Sequence, residues 1–173
     1  MLPAERKVLE RLGHLPLDFN AMWMVSNLFR ASAAVRRKME AEVLASDRLS
    51  WTAFTVLWVL WVWGEMEAKD LAAAVGVSRP TTTGVVSTLT RRKLVRRSDV
   101  AEDGRLVRVS LTRSGRRMIE ALFPRFNAKE REVAALLPPT DQERLAAMLR
   151  TIVLATFPEG ILAAGAGSGS AER

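Results

Sequence analysis

The stretch LAAAVGVSRPTTTGVVSTLTRRKLVRRSDVAEDGRLVRVSL, residues 71–111, decides how the rest of the chain is read. Its pattern predicts a helix, a turn, a second helix and a basic β-hairpin. The second helix begins after Ser78, whose hydroxyl can accept from backbone amides left free in a first turn, and Pro80 falls where a first turn tolerates proline. Val85, Val86 and Leu89 recur at helical spacing and are expected to face inward. That leaves Pro80, Thr81, Thr83, Gly84, Ser87, Thr88 and Arg91 on the outward stripe, small or hydrogen-bonding residues ending in a cation. Such a surface suits close approach to a groove.

Leu71 to Val75 supplies the first helix of the pair, and Gly76 can take the positive φ that ends it. After Lys93, Leu94 and Val95 begin a strand, and Ala101-Glu102-Asp103-Gly104 reverses the chain, Asp-Gly being a strong hairpin signal. Val107, Val109 and Leu111 then alternate with Leu106, Arg108 and Ser110 on the return strand. A helix-turn-helix followed by a hairpin is a winged helix.

Charge concentrates in the same place. Between Ser78 and Arg117 stand eleven cations, Arg79, Arg91, Arg92, Lys93, Arg96, Arg97, Arg105, Arg108, Arg113, Arg116 and Arg117, against three acids, Asp99, Glu102 and Asp103. The segment therefore carries +8 of a chain total of +7, and everything else sums to −1. A charge run is usually only a solvated face, but one laid on a helix-turn-helix is the electrostatic footprint of a phosphate partner. An acidic lipid surface fits poorly, because the cluster holds a hairpin and lacks an amphipathic basic helix.

The inventory for catalysis is missing. No paired carboxylates, nucleophile with a base, phosphate-cradling glycine loop or metal cluster appears, which argues against an enzyme. The absence of cysteine excludes disulfides and thiolate zinc sites, and the single histidine, His14, reads as a loop or surface residue. No metal and no cofactor is called for. Ala4 to Glu10 is charged, unlike the start of a secretory signal, so a cytoplasmic protein with no membrane partner is expected.

Around this core the pattern predicts further helices. Leu2 to Leu12 forms a short one stopped by Gly13, and a long one runs from an Asp18 N-cap to about Ala45, with Phe19, Met22, Val25 or Ser26, Phe29 and Ala33 on its apolar face. Ser50 caps WTAFTVLWVLWVWG, whose apolar run is shorter than the ~20 residues a bilayer crossing needs. It is apolar on nearly every face and so expected to be buried on nearly every face, with most of its aromatics in the core. After the wing, Thr112 caps a helix that Pro124 is expected to kink or interrupt, and that resumes to Leu137. Thr140 with Glu143 reads as the capping box of a last helix, with Leu145, Met148, Leu149, Ile152 and Thr156 on one face. The apolar faces of these two helices are read as a dimer seam.

The run VSRPTTTGVVSTLTRRKLVRRSDVAEDGRLVRVSLTRSG resembles the DNA-binding core of the MarR family of bacterial transcriptional regulators. The match lies in the Ser78-capped recognition helix, in Asp103 and Arg105 of an Asp-x-Arg wing, and in Leu111, Thr112 and Gly115 of a Leu-Thr-x-x-Gly helix start. At lower strength it covers about residues 18 to 157. Two positions depart from the family pattern. Gly84 stands where an arginine is frequent, which removes a base-reading side chain, and Lys93 replaces the usual glycine, which suggests a different helix exit.

The resemblance implies a mainly α fold with a small β-wing. In that plan residues 1–17 are an N-terminal arm, 18–48 and 112–160 a helical dimerisation lobe, 49–111 a winged helix-turn-helix lobe, and 163–173 a flexible tail. It implies a homodimer, probing two major grooves of double-stranded DNA at a pseudo-palindromic operator, most simply as a repressor. Ser78 and the amides beside it are expected to hold a phosphate, with Arg79, Thr81, Thr83, Ser87 and Arg91 touching bases or backbone and Arg96 and Arg97 adding charge. Arg105 would enter a minor groove, oriented by Asp103. A small aromatic or apolar effector would meet Trp51, Phe54 and Trp58 together with Trp23. Two other readings stay open: a winged-helix module for protein contacts or RNA, and a constitutive DNA binder without an effector.

Overall fold

The computed structural model describes residues 1–99 and 107–156. In chain order its elements are α1 (Pro3–Leu12), α2 (Phe19–Met39), a π-helical turn (Glu40–Leu44), a 3-10 turn (Ala45–Asp47), α3 (Trp51–Trp63), β1 (Met66–Glu67), α4 (Ala68–Val75), α5 (Arg79–Arg91), β2 (Val95–Asp99), β3 (Val107–Leu111), α6 (Arg113–Ala134) and α7 (Pro139–Thr156). The chain divides into two compact units, Met1–Lys38 and a second that begins at Met39. The wing turn with Asp103 and Arg105, and the tail from residue 163, lie outside the described residues.

In the first unit Asp18 caps α2 as expected, its Oδ1 accepting from the Ala21 amide at 2.9 Å. The short α1 is tied to α2 by Glu5, only 5 % exposed, which accepts from Asn27 Nδ2 and from the Leu2 amide, both at 2.7 Å. The Asn27 bond, then the Leu2 amide, holds the Glu5 carboxyl below the usual carboxylate range.

The second unit is organised around α3. Val56, Leu57, Val59 and Leu60 are at most 1 % exposed, and they share a core with Leu71 of α4, Leu89 of α5, Val109 of β3, and Ile119 and Leu122 of α6. Ser50 caps α3 through the Ala53 amide at 3.2 Å, and Glu40 Oε1 accepts from the Trp51 amide at 2.8 Å. Glu40 opens the π-helical turn, so the long helix expected to reach Ala45 instead ends as a regular helix at Met39. The sheet has order β1-β3-β2, antiparallel throughout, with Val95 opposite Leu111 and Arg97 opposite Val109. The two-residue β1 was not anticipated from the sequence.

Three turns of this unit end in the same backbone motif. Gly76 and Val77 donate to Ala73 and Ala72, Arg48 and Leu49 to Ala45 and Leu44, and Lys93 and Leu94 to Thr90 and Leu89, at 2.8–3.3 Å. Each pair closes a helix C-terminus on a residue of left-handed conformation, with φ of 72° at Gly76, 52° at Arg48 and 59° at Lys93. The different helix exit expected at Lys93 is therefore not found: lysine adopts the conformation that favours glycine. The buried pairs Leu44 with Leu49 and Leu89 with Leu94 supply the apolar contact that accompanies this cap.

Three expectations at the C-terminal side are corrected. Helix α6 runs through Pro124 without interruption, because the rings flanking it are anchored on α3: Phe123 packs on Trp61 with centroids 5.4 Å apart, and Phe126 stacks on Phe54 at 4.1 Å. It ends at Ala134, short of Leu137, where the Ala135 amide closes on Arg131. Helix α7 starts at Pro139, with the Pro138 carbonyl accepting from the Asp141 and Gln142 amides. Thr140 is thus already inside the first turn, where proline at the leading position is preorganised for helix, and the Thr140–Glu143 box does not form the start.

Candidate nucleic-acid interface

Helix α5 is built to hold one face inward and offer the other. Ser78 Oγ accepts from the Thr81 amide at 3.3 Å and shares a 2.8 Å bond with the Thr81 hydroxyl. Thr82, Val86 and Leu89 are the buried positions, while Val85 is only half-buried. The inward reading of the sequence missed Thr82, a polar residue that tolerates burial because its hydroxyl donates to the Ser78 carbonyl at 3.2 Å. On the outer side Pro80, Thr81, Thr83, Gly84, Ser87, Thr88 and Arg91 are all exposed, together with Ser78 and Arg79.

The hydroxyls of this stripe differ in availability. Thr88 donates to the Gly84 carbonyl at 3.1 Å and accepts from Arg91 at 3.3 Å. The Thr83 and Ser87 hydroxyls have no hydrogen-bond partner among the described residues, which leaves two groups free to donate and accept, one turn apart on the same face of the helix. A Cβ at Gly84 would meet nothing within 4 Å, so packing inside the chain does not call for glycine there. The bare backbone lies open on the outward face.

The base of the wing is locked to α5 and α6. Thr112 Oγ1 donates to the Lys93 carbonyl at 2.6 Å and accepts from the Gly115 amide at 3.0 Å, capping α6. Gly115 seats against Leu94 so closely that a Cβ there would lie 1.9 Å from the Leu94 oxygen. This contact accounts for the Leu-Thr-x-x-Gly pattern in physical terms. Arg96 and Arg97 stand on opposite faces of the sheet. Arg96 Nε donates to Ser110 across the strand pair at 2.9 Å, whereas exposed Arg97 shares the face of buried Val95 and Val109.

Not all of the cationic cluster is free. Arg92 is engaged with the backbone of residues 47 and 48, Arg108 lies 3.7 Å from Glu65, and Arg116 lies 3.9 Å from Glu120. Arg79, Lys93, Arg97, Arg113 and Arg117 have no side-chain hydrogen bond or ion pair among the described residues. Taken with the outward stripe, they make a surface able to meet a polyanion with charge and hydroxyl donors together.

Each aromatic residue expected to meet an effector has a ring partner within its own unit. Trp51 contacts Phe54 at 6.2 Å and Phe126 at 5.9 Å, with Phe54 buried in its stack on Phe126. Trp58 meets Trp63 edge to face at 5.2 Å, and Trp23, in the first unit, lies 5.9 Å from Phe19. Phe123, Phe126 and Trp63 were not among the residues singled out from the sequence, since their partners lie a turn or a helix away.

Comparison with known proteins agrees with this geometry. The model of the MarR family matches residues 49–107. The chain is 39% identical over 151 residues to the uncharacterized HTH-type transcriptional regulator YwaE of Bacillus subtilis (strain 168), covering 86% of this chain and 88% of that one. The solved structure of Bordetella bronchiseptica BpsR, a protein whose DNA binding is regulated by 6-hydroxynicotinic acid, is 26% identical with a TM-score of 0.69, over 75% of this chain and 98% of that one. MepR of S. aureus, solved in complex with DNA, is also 26% identical, with a TM-score of 0.67 over 75% and 96% of the two chains. The chain belongs to the MarR family of DNA-binding transcriptional regulators, which are not enzymes.

Proposed function

We propose that the protein is a cytoplasmic homodimer that represses transcription by binding a pseudo-palindromic operator. The observation that carries the DNA half of this reading is the exposed stripe from Ser78 to Arg91, flanked by cations that have no side-chain partner among the described residues. Thr83, Ser87, Arg79 and Arg91 reach base edges or backbone, and Ser78 with its neighbouring amides meets a phosphate. Hydroxyls read bases ambiguously, so groove shape supplies much of the specificity, with Arg105 in a minor groove and Asp103 beside it in sequence.

The dimer half of the reading is supported by α7, which has no buried residue and leaves Leu145, Met148, Val153 and Leu154 between 44% and 58% exposed. Leu145 and Met148 lie on one side of the helix while Val153 and Leu154 turn towards others, so the exposed apolar surface spreads round α7, and a second copy would cover it. A dimer places its two α5 helices in grooves about one turn of DNA apart, roughly 10 base pairs between half-site centres. Regulation by a small planar compound, as BpsR is regulated by 6-hydroxynicotinic acid, would use the α3 aromatics Trp51, Phe54 and Trp58, with the ligand favouring a state that spreads the reading helices.

Sedimentation velocity with and without the duplex upstream of the coding region, joined to footprinting of that duplex, tests the reading. Two chains per duplex and a protected stretch with two half-sites support it. A protein that sediments as a monomer on DNA, or protects nothing, contradicts it.

A further inference from the structure

A helix C-terminus leaves its last carbonyls without intrahelical partners, and these carry partial negative charge. The 3-10 turn Ala45–Asp47 ends in this way, and Arg48 follows it in the left-handed conformation, with φ of 52°. The guanidinium of Arg92, the residue that closes α5, fills the gap. Its Nη1 donates to the Arg48 carbonyl and its Nη2 to the Asp47 carbonyl, each at 2.8 Å. A planar fork is suited to two parallel acceptors in a way that an ammonium is not.

The same turn is held from the other side by α6. Arg125 Nη2 lies 2.5 Å from Asp47 Oδ2, and its Nη1 donates to Ser46 Oγ at 3.2 Å. One turn further along α6, Lys129 Nζ lies 2.9 Å from Glu42 in the π-helical turn. A non-glycine residue persists in a sparsely populated conformation only where its surroundings over-determine it, and Arg48 is gripped at the strained residue itself.

We propose that Arg92 is a positioning residue: it seats the exit of α5 on the 45–48 turn, and the Asp47–Arg125 pair extends that seat to α6, so Arg92 governs DNA affinity without touching DNA. The inference rests on α5 being the DNA-reading helix. It removes Arg92 from the phosphate contacts that its place in a basic run suggests, and it makes Arg125 a residue whose loss is felt at the DNA.

The test is fluorescence anisotropy on the preferred duplex across a salt series, for Arg92→Lys, Arg92→Gln, Arg125→Gln and the double variant Arg92→Lys/Arg125→Gln. Circular dichroism fixes a working temperature at which each variant is folded. Arg92→Lys keeps the charge and loses the fork, and it weakens binding by about 3- to 30-fold. The slope of log affinity against log salt stays at the wild-type value for both Arg92 variants. Arg125→Gln weakens binding in the same direction, and the double variant binds no more weakly than Arg92→Lys alone. Wild-type affinity in Arg92→Lys overturns the proposal, as does a slope shallower by about 0.9 in Arg92→Gln, the mark of one lost phosphate contact. Absence of duplex binding by the unaltered protein overturns this proposal together with the DNA-reading role of α5, whereas normal binding with unaffected variants overturns this proposal alone.

Discussion

Gly115 and Leu94 approach so closely that a side chain cannot stand between them: a Cβ on Gly115 would lie 1.9 Å from the Leu94 oxygen and 2.9 Å from its carbon. The obstacle is backbone that also accepts from Thr112 Oγ1 at 3.2 Å and from the Thr112 amide at 3.0 Å, so it has little room to yield. Gly115→Ala is expected to destabilise the protein by about 2–4 kcal/mol, the range of severe overpacking. Urea unfolding measures this. A midpoint within error of wild type would show that α6 can shift away from β2 at no cost.

Lys93 holds φ of 59°, where a Cβ crowds the following carbonyl. Glycine relieves that crowding but gives the unfolded chain more freedom, and the balance favours Lys93→Gly by about 0.5–1 kcal/mol. A rise in the thermal midpoint is the expected reading. A fall would mean that the lysine side chain contributes more to the folded state than its conformation costs.

Gly84 presents the opposite case, a glycine in the middle of α5 with open space around its Cα. Alanine there should stabilise the helix by about 0.5–1 kcal/mol, since glycine in a helix interior costs that much in backbone freedom. Operator affinity should nevertheless fall, because the added methyl stands where the outward stripe meets the groove. Increased stability with unchanged affinity would place that part of α5 away from the DNA surface.

Glu5 gives the first unit a pH dependence of known sign. Its carboxyl is held below the ordinary value of 4.5 by Asn27 and by the Leu2 amide, so the charged form is the one that folding favours. The stabilisation is fully present above pH 4.5 and is lost as pH falls through the lowered folded value. Hydrogen exchange of the α1 amides in wild type and Glu5→Gln should therefore differ near neutrality and converge in acid. A constant difference across that range would remove the charge from the account.

The outward face of α5 was legible because a cap at Ser78 fixes the phase of a 3.6-residue repeat, and every residue assigned to that face is exposed. Thr82 was not legible as core, since its burial depends on a bond to its own helix that composition does not announce. The left-handed exits at Arg48 and Lys93 escaped for a related reason. Their residue types argue against positive φ, while the buried Leu44–Leu49 and Leu89–Leu94 pairs that stabilise the caps form only on folding. Arg92 read as one more cation in a run, and its partners lie 44 and 45 positions away. Pro124 shows local preference yielding to packing, with Phe123 and Phe126 holding the helix to α3 on both sides of the proline. The ring pairings of α3 were not legible, because helical spacing places Trp51 and Trp58 near one another on a wheel but does not say which rings from elsewhere will pair with each.

The measurement that bears most directly on the central claim is fluorescence anisotropy of the purified protein on the duplex upstream of its coding region, against shuffled duplex of equal composition, over a salt series. A reading helix that discriminates sequence predicts a preference of ~10³-fold or more for the native duplex, with affinity falling steeply as salt rises. Absence of duplex binding at low salt, with the protein folded, would contradict the assignment of α5 and its flanking cations as a DNA-reading surface.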